Sequence, residues 1–141
     1  MRRVSMLFMS GVVLAVAMLF AVTVHARSRA AAPAAETIKN PVPATAASVT
    51  AGAAAFKKYC AFCHGPAAKG EGPLAPKDSH PPDLTDATWV HGSTDGEIFT
   101  VIANGAGADS KMIAFKGKMP DQDLWHIIDF LRSLGPKSAA R

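Results

Sequence analysis

Cysteine is scarce in this chain of 141 residues: two occur, too few for a disulfide-dense scaffold, a four-cysteine zinc site or an iron–sulfur cluster. A concentrated basic surface is also missing. Residues 1–50 hold five basic side chains (Arg2, Arg3, Arg27, Arg29, Lys39) and one acid (Glu36), and so carry the whole net charge of +4. Residues 51–141 hold ten of each sign, which excludes the basic patch expected of a folded nucleic-acid binder. No stretch alternates apolar and polar residues convincingly as a strand would, and no internal repeat is present. General disorder and collagen-like repeats are excluded in turn, because 49% of the chain is apolar.

Charge is absent throughout Val4 to Val24, a run of 21 residues behind the Arg2-Arg3 start. Val24-His25-Ala26 then offers a small-residue cleavage site. Residues 1–26 read as a signal peptide or, since the run can span a bilayer, a retained N-terminal membrane anchor (4–24). Either reading puts the rest of the chain on the periplasmic or extracytoplasmic side. Residues 27–50 are rich in Ala, Pro, Thr and Ser and read as a linker, with Pro33, Pro41 and Pro43 denying a continuous helix. Fully extended, such a linker reaches ~70 Å at roughly 3 Å per residue. The folded domain is expected over 51–136, with 137–141 as a C-terminal tail. A domain of about 90 residues is marginal on a hydrophobic core alone, so a staple or cofactor is expected.

Three helices are predicted. The first, Ala51 to Cys60, is alanine-rich with Phe56 as its large anchor. The second opens on the capping-box pattern Thr94-Asp95-Gly96-Glu97 and ends at Asn104-Gly105. The third carries Leu124, Ile127, Ile128, Leu131 and Leu134 at helical spacing. Asp121 and Asp123 suit its N-terminal end, Arg132 its C-terminal end, and Gly135-Pro136 stops it. The class is all-α with long Gly- and Pro-rich loops, which need something to pack against.

Cys60-Ala61-Phe62-Cys63-His64 names that something. C-x-x-C-H is the attachment sequence of a c-type haem. At i, i+3 and i+4 of one helical turn, two thiols and an imidazole share a face. The thiols then reach the two haem vinyl groups while His64 reaches the iron from the same side. A redox dithiol would want a βαβ setting, a plain disulfide leaves His64 unexplained, and zinc needs more ligands.

From Gly52 to Leu134 the chain resembles the class I monohaem cytochromes c. Gly52 and Phe56 precede the first haem cysteine by eight and four residues. Gly65, Gly70-Glu71-Gly72-Pro73, Pro81-Pro82-Asp83-Leu84 and Asp95-Gly96-Glu97-Ile98-Phe99 match segments of bacterial members. Met112-Ile113-Ala114-Phe115, Met119-Pro120-Asp121 and Leu124-Trp125 resemble the family's ligand loop and last helix, with Ile113 replacing the usual Pro and Pro120 the usual Ser. The resemblance implies the cytochrome c fold, helices and long loops around one covalently bound haem c. It implies thioethers at Cys60 and Cys63, His64 as proximal iron ligand and Met112 as distal ligand. Met119, His80, His91 and His126 are the other residues with ligating atoms after the motif, Met119 falling where the family packs a buried Leu. The resemblance further implies that the Pro73 carbonyl receives the His64 ring N–H, the alternative being a turn proline. Phe56, Ile127 and Phe130 should form the contact between first and last helices, and Trp89 or Trp125 either bonds a haem propionate or packs.

The expected function is one-electron transfer between exported or membrane redox proteins, with the saturated iron leaving no place for substrate. The lysines of residues 57–118 either steer an acidic partner or form an ordinary solvated surface. A haem subunit of a larger dehydrogenase or oxidase has the same chemistry with a different partner. An open-site gas sensor or peroxidase requires Met112 off the iron, and a two-haem peroxidase is excluded by the single C-x-x-C-H.

Overall fold

A computed structural model describes residues 35–135, Thr88 excepted. The expected signal or anchor segment 4–24, the cut after Ala26 and the tail 137–141 lie outside the described residues. Helices are α1 (Ala46–Tyr59), α2 (Ala61–His64), α3 (Asp95–Asn104) and α4 (Asp121–Leu134). Among the described residues there is no strand, only an isolated bridge between Lys116 and Met119. None of these helices is long and apolar enough to cross a membrane.

Each helix forms for a local reason. Helix α1 starts at Ala46, five residues before the expected start, because the Thr45 side chain accepts a hydrogen bond from the Ser48 N–H at 3.1 Å and caps it. In α3 the expected capping box is present: Thr94 Oγ1 accepts from the Glu97 N–H while Glu97 Oε2 accepts from the Thr94 N–H. The carboxylates of Asp121 and Asp123 occupy the first turn of α4, where the helix dipole favours them. Leu124, Ile127, Ile128 and Leu131 are buried, whereas Leu134 at the end of the same stripe is exposed.

The main crossing is α1 against α4. It is close because Gly52 has no side chain: a Cβ there would lie 1.8 Å from the His126 carbonyl oxygen and 2.9 Å from Phe130 Cβ. Four residues on, the Phe56 and Phe130 rings meet at 5.3 Å, as expected for the first and last helices. The cost of Gly52→Ala is forced separation of two helices rather than a rotamer change. The expected loss is about 1–3 kcal/mol or more, read as a lower denaturant midpoint at constant slope.

Helix α3 packs on the other side of α4. Phe99 stacks on Trp125 at 4.1 Å, and Arg132 Nε donates to Asp95 Oδ1 at 2.8 Å while its Nη2 donates to the Ser93 carbonyl. The linker expectation is corrected at its C-terminal end. Residues 35–45 fold onto the domain, with Ala35 O and Ile38 lying so close over Gly96 that only glycine fits there. Val42 packs on the core and Asn40 Nδ2 donates to Asp129 at 2.8 Å. The folded unit therefore begins at Ala35 rather than at Ala51.

Candidate haem site

Cys60 ends α1 and caps α2, so the motif sits on a tight turn between two helices. Its carbonyl accepts from the Cys63 N–H at 3.1 Å and the His64 N–H at 2.9 Å. That pair of bonds winds Cys60, Cys63 and His64 onto one face, as the spacing predicts. Both cysteines are free thiols and half-buried. Burial, with Cys63 alongside, pushes the Cys60 thiol up to about 12. A redox dithiol needs an acidified nucleophilic cysteine, so this environment disfavours that chemistry.

Burial lowers the proton affinity of the His64 imidazole, and the Pro82 carbonyl partly opposes it. The net effect favours the neutral ring, the form that ligates a metal. Nδ1 of His64 is fully buried and has no hydrogen-bond partner in good geometry. An orphaned polar atom on the same turn as two free thiols fits a haem-binding role better than a packing role. The Phe56 ring stands 6.4 Å from the His64 ring.

The expected bond from the His64 ring to the Pro73 carbonyl is not among the described hydrogen bonds. Pro73 is exposed, and its neighbours serve the motif from outside: Gly72 N–H donates to the Cys63 carbonyl and Leu74 N–H to that of Phe62. The proline carbonyl that acts on His64 is that of Pro82. Pro81-Pro82 is drawn in because Gly70 lets the chain pass, a Cβ there lying 2.0 Å from the Pro81 oxygen. The Leu84 N–H then bonds the carbonyl of buried Ala68 at 2.8 Å.

Of the two methionines, Met112 is half-buried beside the core, with its N–H bonded to Ser110 Oγ at 3.1 Å. Its loop is tied down by Phe115 N–H to the Ile102 carbonyl and Lys116 N–H to that of Ala103. Met119 is buried in the core cluster, the packing position expected for it. His80 and His91 are exposed, while His126 lies at the α1–α4 crossing with Nδ1 2.7 Å from Ser48 Oγ. Trp89 Nε1 donates to the Asp86 carbonyl, which takes it out of contention for a propionate, and Trp125 is buried in its stack with Phe99. Lys58 and Lys118 lie over the Tyr59 and Phe115 rings, and those rings meet edge-on at 6.3 Å.

A C-x-x-C-H turn on an all-helical domain of this form defines a c-type cytochrome, a protein that carries haem c covalently and transfers electrons. A family model described as "Cytochrome C oxidase, cbb3-type, subunit III" matches residues 47–131, well over half of the chain, and the chain belongs to that family. The cbb3-type cytochrome c oxidase subunit FixP of Bradyrhizobium is 34% identical over 86 residues, 60% of this chain and 27% of the relative. The subunit FixPc of Rhizobium leguminosarum bv. viciae is 33% identical over 85 residues, again 60% and 27%. The chain thus spans about a quarter of the length of these curated relatives.

Among solved structures, cytochrome cL of Methylophaga aminisulfidivorans is similar in fold, with a TM-score of 0.50 and 28% identity over 62% of this chain and 55% of that one. A chain of the reducing HAO-like protein complex of Kuenenia stuttgartiensis shares the fold at a TM-score of 0.60 and 20% identity, covering 70% of this chain and 50% of that one.

Proposed function

We propose that the protein is a one-electron carrier with one haem c per chain, held by thioethers from Cys60 and Cys63 and ligated by His64 and Met112. The observation that carries this reading is the half-buried, neutral-leaning His64, its Nδ1 buried and unbonded, on the same turn as the two thiols. When bound, the haem supplies a metal centre that cycles between two oxidation states. The chain's own residues supply rigidity around it. Helix α2 fixes His64 relative to both cysteines, the Gly70–Pro82 crossing brings a carbonyl to the imidazole, and the bonds from Phe115 and Lys116 to the end of α3 restrain the Met112 loop. A soft thioether from Met112 together with the His64 imidazole would favour the reduced iron and raise the potential.

The partners are redox proteins on the extracytoplasmic side, and the chain is not itself an enzyme. Lys58 and Lys118, exposed over Tyr59 and Phe115, suit an acidic docking face. A second reading, a haem subunit of a cbb3-type oxidase, is supported because the two curated relatives named above are such subunits.

Exposing the reduced holoprotein to carbon monoxide tests the carrier reading. A saturated iron gives an unchanged absorption spectrum, and a rapid spectral shift would assign an open-site sensor or peroxidase instead. Purification from native membranes separates the remaining two, since an oxidase subunit co-elutes with its complex and a shuttle does not.

A further inference from the structure

The carrier function leaves one buried ionisable group unused. Asp129 in α4 is 5% exposed and, with Ser48 at 3%, is one of two buried polar residues in the crossing of α1 and α4. Its Oδ1 accepts from Asn40 Nδ2 at 2.8 Å and its Oδ2 from Ser48 Oγ. Ser48 has a single hydroxyl proton, and the bond to Asp129 uses it. The Ser48 oxygen therefore accepts from Nδ1 of His126, 2.7 Å away, and that nitrogen carries a proton. The result is a directed chain, His126 to Ser48 to Asp129, met from the other side by Asn40. Asn40 in turn shapes the segment before α1, because its Oδ1 accepts from the Val42 N–H at 2.9 Å.

No lysine or arginine answers Asp129 among its described bonds. Arg132, three residues on, is committed to Asp95 and the Ser93 carbonyl. Glu36 and Lys39 of residues 35–45 are exposed, and α1 presents only Ser48 to the carboxylate. Asp123, one turn before His126 on α4, acts on Lys58 at the far end of α1. Among the described hydrogen bonds, His126 is thus the one cationisable group linked to the buried carboxylate, and Ser48 is the link. Two neutral donors converge on Asp129. Once protonated it offers one good acceptor oxygen in place of two, and one of Asn40 and Ser48 loses its bond.

We propose that Asn40, Ser48, His126 and Asp129 form a proton-operated clasp that holds residues 35–45 on the domain while Asp129 is ionised and releases them when it is protonated. The released segment is the one that leads from the N-terminal part of the chain into the haem domain. Acidification therefore frees its lead-in without unfolding the helices.

Hydrogen exchange of the full-length, haem-loaded protein tests the clasp. Amides 38–42 are followed across a falling pH series, with intrinsic rates divided out, and amides of α3 report the intact fold. The wild type should show protection at neutral pH that fades as carboxylates protonate. Asp129→Asn should show weak, pH-independent protection at 38–42 with α3 unchanged. Asn40→Ala removes the bond to Asp129 and also the acceptor of the Val42 N–H, so it is read at the Ile38 amide, where exchange should rise roughly 10- to 100-fold at neutral pH, the worth of one charge-assisted bond. If Asp129→Asn does not fold, Asn40→Ala alone decides. Protection of the Ile38 amide that is equal in Asn40→Ala and wild type, or protection at 38–42 that is independent of pH in the wild type, overturns the proposal.

Discussion

His64→Ala should leave almost no folded holoprotein. The unit from Ala35 to Leu134 is small, and its long loops, Gly65 to Pro82 and Gly105 to Pro120, make few helix–helix contacts of their own. With the proposed ligation, a metal bond from His64 at the end of α2 would tie those loops to the helices, so its loss should belong among the largest single-site effects, about 4 kcal/mol or more. Wild-type protein, after export in a host able to attach haem, should have the mass of the chain plus one haem and no free thiols. Its haem should survive acid–organic extraction, and Cys60→Ala combined with Cys63→Ala should release it. A protein that carries zinc or an internal disulfide instead would end the reading. Acid acts in the same direction as the substitution. In the haem-free chain burial lowers the His64 proton affinity, so the unfolded chain binds the proton better, and the stability of that form drops as the pH falls below the ordinary imidazole value of about 6.5.

The parts of the fold that local chemistry dictates were readable in the sequence. The stripe Leu124, Ile127, Ile128, Leu131 repeats at helical spacing, and the Thr94–Glu97 box marks a helix start on its own. The i, i+3, i+4 geometry of Cys60, Cys63 and His64 needs nothing beyond one helical turn. What escaped depends on partners distant in sequence. Residues 35–45 carry too little apolar surface to look folded, and they are held by contacts to Gly96 and Asp129, the latter 89 residues away from Asn40. Ser48 looked like linker composition, yet it is buried because His126 and Asp129 satisfy its hydroxyl.

Which proline carbonyl lies near His64 is likewise set by contacts away from the motif. Pro73 and Pro82 both lie in the long loop, and distance along the chain from the motif favours Pro73. The path of the loop decides for Pro82, and that path is set by the close passage at Gly70 and the Leu84–Ala68 bond.

Met112→Ala should change the iron rather than the fold. Met112 is half-buried on a loop whose backbone is secured independently, by Ser110 at its start and by the α3 carbonyls at its end, so truncating the side chain leaves the loop in place. As the distal ligand, its loss should abolish the far-red sulfur-to-iron band of the oxidised protein, lower the reduction potential and open the iron to carbon monoxide or cyanide. Met119→Ala should do the reverse. Met119 is 6% exposed within the core beside the start of α4, and its truncation should cost about 2–5 kcal/mol by cavity formation with the band intact. Spectra and denaturant midpoints of the two variants, measured side by side, separate ligand from packing. If the band vanished in Met119→Ala and persisted in Met112→Ala, the ligand would be Met119. A band unaffected by either change would leave the carrier without a thioether ligand and return the distal site to an open or histidine-ligated iron.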